Sequence, residues 1–225
     1  MNHHLKYKHI FITATGTDVG KTIVSRALLQ AFNKDGYRAN AYKPLAIKND
    51  ESKLPCVDVM ILQSSSSQTL STEEINPVCF DYQQIWTKST SVFDMSIFSA
   101  GLKHIEAQSD IVVVEGTSGW RVLFEKDRYL SDWVKQEKLP VVLVVGLQQG
   151  CINHAILSAE AIRNDGLELV GWVANRINPG EGYYAETLET LSKSLAAPML
   201  GELPYLYKPE QRDLSKYINI TSLYS

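Results

Sequence analysis

The chain has 225 residues, 44% of them hydrophobic and 21% charged, with a formal net charge of −3 at pH 7. That length buries a full core and defaults to one domain, residues 1–225, and the apolar content excludes a disordered chain. The 22 Lys and Arg are scattered among 25 Asp and Glu with no concentrated basic run, which argues against a nucleic-acid partner.

In chain order, the polar start MNHHLKYKH, with His3 and His4 read as part of a frayed terminus, gives way to the first apolar run, HIFITAT at 9–15. Then comes TATGTDVGKT (13–22), followed by a helical pattern over 21–34 in which Ile23, Val24, Ala27, Leu28, Ala31 and Phe32 mark one face and Gly36 supplies a stop. RANAYKP (38–44) is the second strand and carries Lys43 at its end. From Lys48 to Lys103 only short helices around 57–63 and 95–106 are expected, inside what reads as a long functional surface loop. Further strands follow at 110–116 (DIVVVEG), 140–146 (PVVLVVG), 169–175 (LVGWVAN) and 197–203 (APMLGEL), with a second clear helix over 151–164. Runs apolar on both faces are the mark of buried parallel strands, and their alternation with helices predicts a doubly wound α/β layer structure.

No run reaches the roughly 18 apolar residues of a membrane helix, and the start lacks a signal peptide's apolar segment, so a cytoplasmic chain without membrane contact is expected. The cysteines Cys56, Cys79 and Cys151 are odd in number and share no metal-ligand spacing, which suits a reducing compartment.

The stretch at 13–22 ends like a phosphate-binding loop, yet the usual G-x-x-x-x-G-K-[ST] count puts its first glycine on Thr15. Its place between the first strand and first helix is the context the motif requires. There, backbone N–H groups of Gly16 to Thr22 and the helix N-terminus converge on an anion, Lys21 adds charge, and the Thr22 hydroxyl can ligate magnesium. A bound nucleotide with its metal needs carboxylates elsewhere. Glu115 ends a predicted strand, where open α/β sheets place their ligands, and the small-residue loop GTSGW after it allows close backbone approach, although a tight turn explains it as well. Asp58 is the second candidate, with a helix cap as the alternative. Lys43 is either a snorkelling surface group or a cation for an anionic transition state.

With these pieces together, the sequence resembles the dethiobiotin synthetase family over nearly its whole length, most densely in VVVEGTSGW, LSDWVKQEKLPVVLVVGLQQGCINHAIL, LVGWVANRINP and PMLGELPYL. That family's phosphate loop, G-T-D-T-x-V-G-K-T, holds one residue more between its glycines than the usual one. Counted that way the loop has the right length, with Ala14 in the first glycine's place, where its φ must stay negative, and Gly16 in place of Asp. The resemblance implies a P-loop NTPase-like homodimer with active sites at the subunit interface. In the reaction it implies, 7,8-diaminononanoate carries carbon dioxide as a carbamate, ATP phosphorylates it, and the second amine closes the ureido ring, releasing ADP and phosphate. By motif, Thr22, Asp58 and Glu115 would hold Mg2+, and Lys21 and Lys43 would balance the moving phosphoryl group. Thr17, Asp18, Val19 and Gly20 belong to the loop. Thr17 and the segment Glu115, Gly116, Thr117, Ser118 would meet diamine and carbamate together with Lys43, and Asn153 would reach the substrate from the neighbouring subunit. Asn175 would bond the adenine, beside Arg176, with Pro204, Tyr205, Leu206, Glu210 and Gln211 near base and ribose.

Four departures from the family pattern fall on the diamine side: Ile47 for a serine, WTKSTS at 86–91 for a segment containing S-P-H, Ser118 in EGTSG for EGAGG, and Thr187 for a tyrosine. They leave open a diverged paralogue acting on another substrate. A regulatory ATPase of the MinD/ParA type shares the expected architecture but needs a lysine where Gly16 stands, and YINITSLYS at the C-terminus is not a basic amphipathic helix.

Overall fold

The computed structural model describes residues 4–48, 56–81, 93–125, 127–180 and 182–225. The first half of the chain supplies β1 (His9–Ala14), α1 (Lys21–Lys34), β2 (Ala39–Tyr42), β3 (Leu45–Lys48), α2 (Val57–Gln63), α3 (Thr72–Ile75), β4 (Val78–Asp81), α4 (Ser96–Glu106) and β5 (Ile111–Glu115). The second half supplies β6 (Leu123–Glu125), β7 (Arg128–Tyr129), α5 (Leu130–Glu137), β8 (Val141–Leu147), α6 (Cys151–Asn164), β9 (Leu169–Arg176), α7 (Tyr184–Ser194) and β10 (Met199–Leu203).

Six of these strands form one parallel sheet in the order β10-β9-β8-β1-β5-β2. They are the six strands expected from the two-faced apolar runs, and α1 and α6 match their expected spans residue for residue. Strands β2, β5 and β8 are buried at every position, because helices cover both faces of the sheet and leave no side for water. All strands being parallel, their carboxyl ends share one edge. In register, Ile12 lies opposite Glu115 on β5 and Ala14 opposite Val144 on β8, so the loop leaving β1 emerges between two strand ends.

The expected long loop over 48–103 is corrected where the chain is described. Pro44 cannot extend the main ladder, and the chain beyond it forms β3, which pairs in parallel with β4 as a separate two-stranded sheet. The two short helices stand at the expected places, as α2 and α4. The aromatic residues of this region pack on one another. Phe93 lies 5.2 Å from Phe98 and 5.9 Å from Phe124, and Phe98 lies 5.6 Å from Trp133, all between ring centroids, which joins α4 to β6 and α5.

The loop after β5 is tied down from the far side. Arg121 makes a bidentate pair with Asp165 at 2.6 and 3.0 Å, and the Trp120 indole donates to the same carboxylate at 2.8 Å. Burial pushes the Asp165 carboxyl up, but the hydrogen bonds from Arg121 and Trp120 outweigh it and hold the group below its ordinary value. A lowered folded-state value means stability present above the unfolded carboxylate pKa and lost as pH falls through the folded one. Asp165→Asn is therefore expected to cost about 1–3 kcal/mol at neutral pH. The difference from wild type should shrink below about pH 4. Urea unfolding at several pH values checks both statements.

Candidate active site

The loop between β1 and α1 is shaped by its neighbours in the sheet. Ala14 is absent from the residues with positive φ, so the alanine meets the condition that its position set, and the left-handed positions are Asp18 (φ 58°) and Gly20 (φ 82°). Gly20 caps α1, and a Cβ there would collide with the side-chain amide nitrogen of Asn175. That nitrogen donates to the Val19 carbonyl at 2.9 Å, which ties the loop to the end of β9. Gly16, by contrast, is outside the left-handed region and has open space where a side chain would project.

Lys21 and Thr22 open the helix from this loop. Burial lowers the Lys21 ammonium pKa, only partly opposed by the negative charge of Glu115. The Thr22 hydroxyl donates to Glu115 Oε1 at 3.0 Å. Glu115 itself, the last residue of β5, is wholly shielded from solvent.

Lys43 follows β2 directly. Its backbone is fixed by its N–H on the Ile75 carbonyl at 2.7 Å and by the Asn76 amide on its own carbonyl at 2.7 Å. Its ammonium lies 2.6 Å from Glu115 Oε1 and 3.5 Å from Asp58 Oδ2, with the side chain only 3% exposed. Burial disfavours that charge, but the attraction of Glu115 and Asp58 prevails and the pKa is raised. Asp58, in the first turn of α2, is 43% exposed and reaches the group from that helix. Thr22, Asp58, Glu115 and both lysines are thereby assembled from four separate stretches of sequence.

A cavity of about 1050 Å3 opens over them. Lys21, Thr22, Lys43 and Asp58 line it, as do Ile47, Ile61, Val122 and Leu123. Thr17, Asp18, Thr117 and Ser118 also face it; Ser118 holds a φ of 53°, and the Thr117 hydroxyl is anchored on the Leu45 carbonyl. The turn after Glu115 does pack closely, since a Cβ on Gly116 would meet the Phe11 ring at 2.7 Å.

Among the described residues no group of three or more His, Cys, Asp or Glu gathers for a metal. The donor set present is a hydroxyl and two carboxylates, hard oxygens of the kind a small divalent cation uses alongside water and substrate phosphates. Among the described residues Glu115 Oε2 is buried without a hydrogen-bond partner, an orphan that such a cation would satisfy. The residues fit the group.

The remaining expected site residues lie outside the cavity lining. Asn175 and Arg176 end β9, and Pro204, Tyr205 and Leu206 follow β10 at the same sheet edge, Leu203 being in register with Asn175. Glu210 and Gln211 sit in a 3₁₀ turn beside α1, where Arg26 and Gln30 both donate to the Arg212 carbonyl. Asn153 is exposed in the first turn of α6, Thr187 is half-buried on α7, and 86–91 lie outside the described residues. Sequence reasoning missed the cavity-lining Ile61, Val122, Leu123 and Cys56.

A parallel sheet, a phosphate loop capped by a left-handed glycine and a strand-end carboxylate beside it define a P-loop nucleotide-binding α/β protein. A protein-family model described as an AAA domain matches residues 8–212. In fold the chain is similar to a chain of a MinC:MinD cell division protein complex from Aquifex aeolicus (TM-score 0.60, 15% identity, 96% of this chain and 94% of that one). It is also similar to a ParA family ATPase from Chlorobium tepidum (TM-score 0.58, 10% identity, 96% and 99%). In sequence it is 50% identical over 216 residues to the ATP-dependent dethiobiotin synthetase BioD 2 of Yersinia pestis, covering 95% of this chain and 97% of that protein. It is 50% identical over 220 residues to BioD 2 of Escherichia coli K12 (97% and 95%) and 46% identical over 219 to BioD of Aliivibrio salmonicida (95% and 96%). The chain belongs to the ATP-dependent dethiobiotin synthetase family.

The Gly20 geometry yields a test. An alanine there would both hold a left-handed φ, at about 1–2 kcal/mol, and strike the Asn175 amide. Gly20→Ala is expected to weaken binding of an ATP analogue about ten-fold or more; calorimetric titration showing unchanged affinity contradicts the loop geometry described.

Proposed function

We propose that the chain converts 7,8-diaminononanoate, carbon dioxide and ATP into dethiobiotin, ADP and phosphate, with Mg2+, through one P-loop domain acting as a homodimer. The observation that carries this reading is the convergence of Lys21, Thr22, Lys43, Asp58 and Glu115 at a cavity that several apolar side chains also line. The polar side chains suit phosphates, and Ile47, Ile61, Val122 and Leu123 suit the methylene chain of the diamine.

Mg2+ held by Thr22, Asp58 and Glu115 would neutralise phosphate charge as the γ-phosphoryl group moves. The loop N–H groups of Gly16 to Thr22 and the Lys21 ammonium bind the phosphates of ATP. A carbamate oxygen attacks the γ-phosphorus, the bond from that phosphorus to the bridging oxygen breaks, and ADP leaves with the electron pair. Lys43 neutralises the charge that develops on the transferred group, a role that asks only for position and sign. In the resulting mixed anhydride the second amine attacks the carbonyl carbon, phosphate leaves with the C–O electrons, and the amine gives up its proton as the ring closes. Thr17, Thr117 and Ser118 orient the reacting ends from the cavity wall.

Asn175 and Arg176, with Pro204 to Leu206 and the Glu210–Gln211 turn, would receive the base and ribose. The Asn175 amide nitrogen is engaged by Val19, which leaves its carbonyl oxygen as the atom for an adenine amino group. Asn153 would serve the partner's site, its exposure next to the 56%-exposed Leu157 supporting a subunit interface at α6. No helix among the described residues is long and apolar enough to cross a membrane, in keeping with a cytoplasmic enzyme.

Purified protein given the diamine, bicarbonate, Mg2+ and ATP should form dethiobiotin and ADP in equal amounts; ADP released with no dethiobiotin formed refutes the assignment. In the same assay Lys43→Ala should lose at least about a thousand-fold in kcat while keeping its affinity for ATP within a few-fold.

A further inference from the structure

Lys43 does more than stand beside the metal ligands. Its ammonium touches the two carboxylates of the set, Glu115 at 2.6 Å and Asp58 at 3.5 Å, and the Glu115 oxygen it holds is the one the Thr22 hydroxyl also bonds. Lys43 lines the cavity, whereas Glu115 below it is completely shielded. A cation entering from the cavity meets the ammonium before it meets Glu115. Glu115 Oε2 is left without a partner among the described residues, but a divalent cation taken there would share the buried carboxylate with the ammonium on Oε1, and two cations on one buried carboxylate repel strongly, so one must leave for the other to bind tightly.

We infer that Lys43 is a resident counter-ion that keeps the metal position closed until nucleotide arrives. The γ-phosphate offers the ammonium a stronger anion, Lys43 leaves Glu115 for it, and the divalent cation takes the carboxylate no longer neutralised. Metal therefore enters with nucleotide and not alone. The exchange rests on the reading of Thr22, Asp58 and Glu115 as the metal ligands, and it gives Lys43 two consecutive partners: the carboxylate before nucleotide binds and the phosphoryl group afterwards.

Mn2+ serves as the probe, its free aquo form being read by electron paramagnetic resonance on nucleotide-free protein. Lys43→Met should bind one Mn2+ at least about ten-fold more tightly than wild type. Lys43→Gln, whose amide still donates to Glu115 without the charge, should do the same if the methionine variant does not fold. Lys43→Arg, which keeps the charge, should stay as weak as wild type. Micromolar Mn2+ binding by nucleotide-free wild type, or equal affinities in wild type and the uncharged variants, overturns the inference. The measurement contains neither diamine nor turnover, so a failed dethiobiotin assay with the Mn2+ contrast intact faults the substrate assignment alone.

Discussion

A carboxylate fully shielded from water is costly unless a charge and hydrogen bonds meet it, and among the described residues Glu115 is met by Lys43 and Thr22 on one oxygen and by nothing on the other. Every element near it is arranged by that requirement. Strand β5 must end at Glu115, α1 must begin at Thr22, and β2 must stop so that Lys43 turns back across the strand end. The sheet order places β2, β5 and β1 side by side, so the three groups arrive from adjacent strands. Removing Lys43 would leave the carboxylate buried without a counter-charge, so this pair is a constraint on folding as well as a part of the site.

The same arrangement explains how a loop with alanine in the leading position still forms a cradle. Its left-handed turns fall on Asp18 and Gly20, while Ala14 continues β1. The strands on the other side of β1 complete it: Asn175 holds the Val19 carbonyl, and Val19 is buried against Gly146 of β8. Phosphoryl transfer asks the protein chiefly for position and charge, and here position is fixed from both flanks. The Arg121–Asp165 pair extends the principle to the loop after β5, because it pins the chain that carries the cavity-lining Thr117 and Ser118.

Much of this was legible in the sequence because the informative residues sit at element ends. Glu115 closes a run apolar on both faces, Lys43 closes another, and Gly20-Lys21-Thr22 opens a helix with a clear apolar face. The small sheets β3–β4 and β6–β7 and helices α3, α5 and α7 were not read. The strands of the small sheets have two to four residues, too few for a period to show, and α5 is held by Phe98 packing on Trp133, a contact between distant segments. For α7 a signal was present in the spacing of Leu188, Leu191 and Leu195. Arg121 lies 44 residues from Asp165, and nothing local announces such a pair. Asn175 shows the limit from the other side: the motif singles the residue out, and only the structure shows that its nitrogen supports the loop.

The central claim, that one buried carboxylate serves Lys43 and a metal in turn beneath the phosphate loop, is tested most directly by a crystal structure of the protein with Mg2+ and a non-hydrolysable ATP analogue. The account predicts the metal bonded to Glu115 and Thr22, with the Lys43 ammonium moved onto the γ-phosphate. A metal bound away from Glu115, with Lys43 still paired to that carboxylate, would contradict it.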